Sequence, residues 1–532
     1  MIDLISPTTD NYPYVIDFRT DYYYIAPQAL ERFCVPKNAF HKVMEYHRDF
    51  VYGPDYAKLK AEFDDLLSTE RCTHNMEYRW MDLKKRPVWI KCKGHLIRDA
   101  KMKPLYMIGC INEIGGKQKA DNVSGFLGET GFREYISNPV PTWKKGYLLR
   151  VGIDHFKEIN EKFSMEYGDF ILRETAACIS SCMSEKQRVY KLMADEFLIL
   201  DVSSDDTKEA GKLFIKIRES IDQFVEENDF EVMYTISGGS LALHSSENIE
   251  YSKVMKLTDF SLNEAKKRGR NRCYIFDEKD YSRFIRKGEI TQELREATRN
   301  GFQGFVAFYQ PVIEAKSGRL SGAESLMRFS SSKFGMVSPV EFIPILEETG
   351  LIIPVGRWMM KEAMEKCSQI RKVIPGFKVN INISQVQVSK SDVIIDIADE
   401  MEKAGLSPGA MNIELTESDL LEGDINTQHF LKELKRMGIK LALDDFGTGY
   451  SNFHYLSELD PEIIKIDRSF TSSAVADEKE YYLLKQFCRM IHNLGLKICI
   501  EGVENQEEWA KIQKLEPDFG QGFFWGRPCG YD

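Results

Sequence analysis

The second half of this 532-residue chain repeats one pattern: a short apolar run carrying a polar residue late, then a helix-patterned stretch, then another such run. Asn382 sits in KVNINIS, Glu414 in MNIELTES and Glu501 in KICIEGVE, with VGRWMMKEAMEKCSQIRKV and NTQHFLKELKRMG among the intervening helical segments. Strands alternating with helices predict crossover connections, and roughly 20–40 residues from one polar strand end to the next suit a βα-barrel. In such a barrel the functional side chains stand at the C-terminal ends of the strands, where these polar residues fall.

The stretch LALDDFGTGYSNFHYLSELDPEIIKIDRSF places Asp444 and Asp445 at the end of one apolar strand and Lys465 inside the next. Neighbouring side chains of an extended strand face opposite ways. Both aspartates therefore reach one site only where the pleat ends, and Gly447-Thr448-Gly449 is the expected break. Period two also puts Glu324 and Arg328 of AESLMRF on one strand face, and groups Asn412, Glu414 and Thr416 on another. Converging buried carboxylates require cationic partners or metal.

Residues from about 287 to 532 resemble the EAL family of cyclic-di-GMP phosphodiesterases. YQPV, ESLMR, NIS, ELTES, LDDFGTGYS, KIDRSF, EGVE and QGFFWGRP follow the family order, with Ser325 replacing the alanine of the name-giving motif. The resemblance implies a TIM-like (β/α) barrel that holds two Mg²⁺ or Mn²⁺ ions on Glu324, Asn382, Glu414, Asp444, Asp445 and Glu501. Oxygen-rich ligands favour these hard cations over zinc. It further implies substrate contacts from Gln310, Leu326, Arg328 and Gln521, and catalytic roles for Lys465, Glu501, Asp445 and Glu504. Glu417 matches the glutamate that anchors the DFGTGYS loop, which in the family couples dimer contacts to metal binding. The expected reaction is hydrolysis of cyclic-di-GMP to linear pGpG by a homodimer. Two rival readings are a non-catalytic cyclic-di-GMP receptor and a bifunctional enzyme that also synthesises cyclic-di-GMP.

Residues 119–277 resemble the GGDEF family of diguanylate cyclases through DNVSGF, VGIDHFKEINEKF, MADEF, ISGGSLAL and EAKKRGRNR. Gly152 replaces the aspartate that binds catalytic metal in that family, and Met193-Ala194 replaces the Gly-Gly turn that approaches GTP. Both changes predict a cyclase-dead domain. Asn160 and Asp169 match the guanine-reading pair, while Lys266 and Arg270 match phosphate contacts, which leaves GTP as a regulatory ligand and a structural remnant as the two readings. The inhibitory RxxD motif is absent, since Ser184 and Gln187 occupy its two positions.

Residues 1–118 resemble a PAS sensor domain in RPVWIKCKGHLI, the turn at Asp99-Ala100-Lys101 and LYMIGCINEI, with a helix and then three strands expected and a ligand that the sequence does not identify. His41, His47, His74 and His95 are candidate haem ligands, against the commoner fate of a surface or core histidine. Residues 278–300 read as a charged linker helix stopped at Gly301, and 301–532 as the EAL domain, giving a multidomain α/β and α+β chain. The eleven cysteines lack paired metal spacing, and neither a signal peptide nor a bilayer-length apolar run is legible, so a cytoplasmic protein without membrane contact is expected. The net charge of −11 argues against a nucleic-acid polymer as partner.

Overall fold

The structure is a computed structural model describing residues 11–114, 121, 123–137, 145–227, 234–244, 250–416, 425–447 and 461–530, together with 2, 6 and 9. It divides into two compact units, Met1–Tyr281 and Ser282–Asp532.

The first unit opens with a six-stranded antiparallel sheet in the order Ala39–His41, Tyr22–Ile25, Tyr12–Asp17, Pro104–Glu113, Pro87–Arg98, Thr73–Met81. The three strands expected after the helical region are the last three of this order. The other three precede them in the chain, and they are short, two of them tyrosine-rich, so alternation in the sequence marks them weakly. Tyr14, Tyr23, Phe33, Phe50 and Trp80 fill the core between the sheet and the helices. His47 belongs to that core: its Nδ1–H donates to Val43 O at 2.7 Å, and its ring lies 4.8 Å from Phe50 and 5.1 Å from Tyr23. His41 and His95 are exposed.

The same unit continues into a second sheet, ordered Cys273–Ile275, Ile236–His244, Lys145–Ile153, Glu196–Asp201, Gln187–Lys191, Leu127–Gly128. Alternation along Lys145–Ile153 sends Leu149 and Val151 towards the helices Met165–Cys182 and Thr207–Glu227, and Leu148 towards Tyr251–Lys267. The two sheets are joined at Gly125, whose carbonyl accepts from Trp89 Nε1 at 2.8 Å and Arg79 Nη1 at 3.3 Å. Gly125 has φ +71, and a Cβ there would lie 2.7 Å from Pro87 Cγ, so the joint requires glycine.

In the second unit eight strands close into a barrel: β1 Phe305–Glu314, β2 Leu320–Ser331, β3 Lys378–Asn382, β4 Met411–Thr416, β5 Lys440–Phe446, β6 Ile463–Ile466, β7 Lys497–Ile500 and β8 Phe519–Gln521. β2 to β8 run parallel, while β1 is antiparallel to both β2 and β8. The reason is the β1–β2 connection, a tight turn containing Gly318 at φ +66, which is too short for the crossover that a parallel pair needs. Val312, Ala442, Ile463 and Cys499 form an apolar layer inside the barrel. Period two carries the same inward rows down to Lys440 and Lys497, both paired with Glu462, and up to the polar site.

The helix Glu278–Arg299 ends as expected at Gly301, which has φ +70. Its C-terminal half is more than a spacer. Ile290, Leu294 and Ala297 pack with Phe305, Phe329 and Phe342, and Arg286 pairs with Glu341 at 2.6 Å.

Burial holds the His47 imidazole down to about 4 from its ordinary 6.5. The unfolded chain then takes up a proton first as pH falls, so the contribution of neutral His47 is complete above about pH 6.5 and is lost towards pH 4, up to roughly 3 kcal/mol. Urea midpoints of the N-terminal domain at pH 7.5 and 4.5 should differ less in His47→Phe than in the parent. An unchanged difference contradicts this account.

Candidate functional site

The polar site is built from the C-terminal ends of the parallel strands. Lys465, on the inward face of β6 and 1 % exposed, is its centre. Its Nζ lies 3.1 Å from Glu324 Oε2, 2.9 Å from Glu414 Oε2, 3.0 Å from Asp444 Oδ1 and 2.7 Å from Glu501 Oε1. Those carboxylates come from β2, β4, β5 and the end of β7. A lysine between Ile464 and Ile466 is thus the shared counter-ion of four acids, and they hold it protonated against the cost of burial.

Amides complete the arrangement. Asn382 Nδ2 donates to Glu324 Oε1 at 2.8 Å, and Gln521 Nε2 donates to Glu324 Oε2 at 2.6 Å and to Gln310 Oε1 at 3.0 Å. Against burial, Lys465 and these two amides hold the Glu324 carboxyl below its usual range. Elsewhere burial wins, aided by neighbouring carboxylates: Glu414 is pushed up, Asp445 to about 6, and Glu501, despite Lys465, to about 8. Ser325, the departure from the family motif, is accommodated because its buried hydroxyl donates to Asn380 O at 2.8 Å.

Asp444 and Asp445 do reach one site, but the break lies earlier than Gly447. The β5–β6 register shifts between Leu443 and Phe446, and Asp445 itself adopts φ +51. Such a bulge turns consecutive side chains to the same side. Asp444, Asp445 and Glu501 then bring carboxylate oxygens within 4.8 Å of one another, as do Glu324, Glu414 and Asp444. Thr448 and Gly449 lie outside the described residues, as does Glu417.

This donor set fits hard divalent cations. Five carboxylates face one ammonium, every donor is oxygen, and an ammonium has only three protons. Glu501 Oε1, 2.7 Å from Lys465, is buried without a directed hydrogen bond among the described residues. Glu324, Asn382, Glu414, Asp444, Asp445 and Glu501 are the residues that could hold such ions.

Beside the carboxylates, Gln310, Arg468, Glu501, Gly502, Glu504, Gln521, Gly522 and Phe523 line a cleft of about 170 Å³. Glu504 stands at its rim, paired with Arg468 at 2.5 Å, apart from the group around Lys465. Arg328 and Leu326 follow Glu324 on the same face of β2, and the Arg328 guanidinium lies 5.6 Å from the Phe308 ring centre on β1. Asn380 lies outside the motifs but is reachable by counting back two residues from Asn382. Arg468 stands inside KIDRSF, yet nothing in that run marks its pairing with Glu504.

In the cyclase-like domain, a Cβ on Gly152 would lie 3.2 Å from Lys266 Nζ and 3.5 Å from Asp195 Oδ2. Lys266, 4.0 Å from Asp195, therefore borders the space into which an aspartate would project. Arg150 ties up Glu196 at 2.5 Å and Asp259 at 3.0 Å. The Met193 side chain is 79 % exposed, so the backbone strain of the altered turn falls on Ala194, at φ +52. Asn160 packs against Gly168, next to exposed Asp169, and Arg270 is exposed in the turn after the helix that carries Lys266.

Residues 23–111 match the family described as PAS fold, 120–272 the diguanylate cyclase, GGDEF domain family, and 291–528 the EAL domain family. The chain belongs to the GGDEF–EAL proteins and carries a PAS domain ahead of them. It is 29% identical over 385 residues to the bifunctional diguanylate cyclase/cyclic di-GMP phosphodiesterase MucR of Pseudomonas aeruginosa, covering 72% of this chain and 55% of that protein. It is 31% identical over 377 residues to the signalling protein YkoW of Bacillus subtilis, covering 71% and 47%. The chain spans about half the length of the curated relatives it matches. Among solved structures, the PaMucR phosphodiesterase in complex with c-di-GMP is similar at 31% identity and TM-score 0.42, over 46% of this chain and 98% of that one.

Removing the shared ammonium while leaving its carboxylates buried should be costly. Lys465→Met should lower the stability of the barrel by about 3–5 kcal/mol in the presence of a chelator, and excess Mn²⁺ should restore part of that loss. Denaturant midpoints read both effects, and a variant as stable as the parent in chelator contradicts the role given to Lys465.

Proposed function

We propose that the barrel hydrolyses cyclic-di-GMP to linear pGpG, using two Mg²⁺ or Mn²⁺ ions held by Glu324, Asn382, Glu414, Asp444, Asp445 and Glu501. The observation that carries this reading is the convergence of carboxylates from separate strands on buried Lys465 at the C-terminal mouth of the barrel. The names of relatives point the same way: NbdA of Pseudomonas aeruginosa and PdeR of Escherichia coli are cyclic di-GMP phosphodiesterases. When bound, the ions supply charge neutralisation and a water acidified towards neutral pH.

The chain's own residues then bind and orient. Arg328 presents a planar cation to a substrate phosphate, two residues beyond Leu326 on the same strand face. Leu326 offers apolar contact to a base. Gln521, bonded to both Gln310 and Glu324, couples substrate contact to ligand orientation. Lys465 offsets negative charge and orients the attacking water, and Glu504 fixes the rim through Arg468. The receptor reading is disfavoured by the complete ligand set. The bifunctional reading is disfavoured by Gly152 and by the cations that engage Asp195 and Glu196.

On this reading the enzyme is a cytoplasmic homodimer with a cyclase-dead GGDEF domain that takes GTP as a regulator through Asn160, Asp169, Lys266 and Arg270, under a PAS domain with its own ligand. Glu324→Ala and Asp444→Ala should each abolish pGpG formation in folded protein with saturating Mn²⁺, followed by chromatography of the nucleotides. Retained turnover in either variant removes the assignment. In the Glu324→Ala protein, GTP with Mg²⁺ should be neither consumed nor converted to cyclic-di-GMP. Synthesis of the cyclic product there would show the cyclase domain to be alive.

A further inference from the structure

Below the ligands, the barrel holds a second polar layer that no motif describes. Asn380 and Asn412 lie two residues before Asn382 and Glu414 on the same inward rows, and β3 and β4 pair them directly. Both are buried, at 7 % and 4 % exposure. Asn412 Nδ2 donates to Asn380 Oδ1 at 2.8 Å, and Asn380 Nδ2 donates to Glu414 Oε1 at 2.7 Å. The main chain of Asn380 is held as well, since its carbonyl accepts from Ser325 Oγ at 2.8 Å.

An amide has a donor end and an acceptor end, so the two bonds are not independent. By donating to Asn380 Oδ1, Asn412 fixes which way the Asn380 amide faces, and its N–H end is thereby aimed at Glu414. Glu414 is fully buried, and a hydrogen bond from a neutral amide favours its charged form and fixes the plane of the carboxylate. With Asn380 on Oε1 and Lys465 on Oε2 at 2.9 Å, the orientation of Glu414 is set from beneath and beside the site. Asn412 Oδ1 is buried with no hydrogen-bond partner among the described residues, while the polarity of the pair follows from Glu414, whose carboxylate accepts from Asn380 Nδ2. Groups of this kind behind a ligand are commonly worth about 10–100-fold in metal affinity.

We propose that Asn380 and Asn412 are positioning residues, a serial two-amide relay that presents Glu414 to a divalent cation. The proposal rests on the reading of Glu414 as a metal ligand. Its test is calorimetric titration of the full chain with Mn²⁺ and no substrate, for the parent, Asn380→Leu, Asn412→Leu, the double variant and Glu324→Ala as control. Asn380→Leu should weaken Mn²⁺ binding by about tenfold or more, Asn412→Leu by less, and the double variant no further than Asn380→Leu alone, because the relay is serial. The KM for cyclic-di-GMP at saturating Mn²⁺ should stay near the parent value. If leucine prevents folding at either position, the smaller Asn380→Ala and Asn412→Ala variants, which lose the donating N–H without adding charge, take its place with the same expectations.

If Glu324→Ala loses Mn²⁺ while folded relay variants bind it like the parent, the relay is refuted and the metal reading stands. If Glu324→Ala also binds like the parent, the metal reading falls and the relay with it. Additive losses in the double variant overturn the serial arrangement.

Discussion

One buried ammonium organises the barrel interior. Lys465 touches carboxylates from β2, β4, β5 and the end of β7, strands that are distant in sequence and adjacent only once the barrel has closed. Burying one such charge is costly, and burying Glu324 and Glu414 beside it is costlier still, so the arrangement survives only because each group helps to satisfy another. The excess negative charge that remains is the chemical signature of the site. It also explains why so many amides, from Asn380, Asn382 and Gln521, are spent on hydrogen bonds to two glutamates.

Much of this was legible in the sequence because period two and strand-end position are local properties. The inward placement of Glu324, Glu414, Asp444 and Lys465 follows from counting along short apolar runs. The break that lets Asp445 join Asp444 was misplaced because a bulge depends on the register with the next strand, and the glycines downstream are the louder signal. The reversed direction of β1 was hidden for a related reason: apolar alternation carries no information about strand direction, and only the short β1–β2 turn does. The role of Arg468 was not legible although it stands in KIDRSF, because that role is a contact with Glu504, which the chain reaches only by closing the barrel.

In the cyclase-like domain, a cation borders the position that matches the metal-binding aspartate of the GGDEF family. Where Gly152 leaves room, Lys266 borders the space and faces Asp195, while Arg150 engages Glu196. Asp195 and Glu196 thus have internal counter-charges. Arg150 carries no family signal, and only its position opposite Leu198, on the strand beside Glu196, reveals the pairing.

The central claim, hydrolysis at a two-cation centre, is tested most directly by titrating metal-free protein with Mn²⁺ while electron paramagnetic resonance and pGpG formation are followed on the same samples. The account predicts two ions per chain, a spin-coupled signal from the second, and turnover that rises with that second ion. Full turnover with one ion or none bound would contradict it.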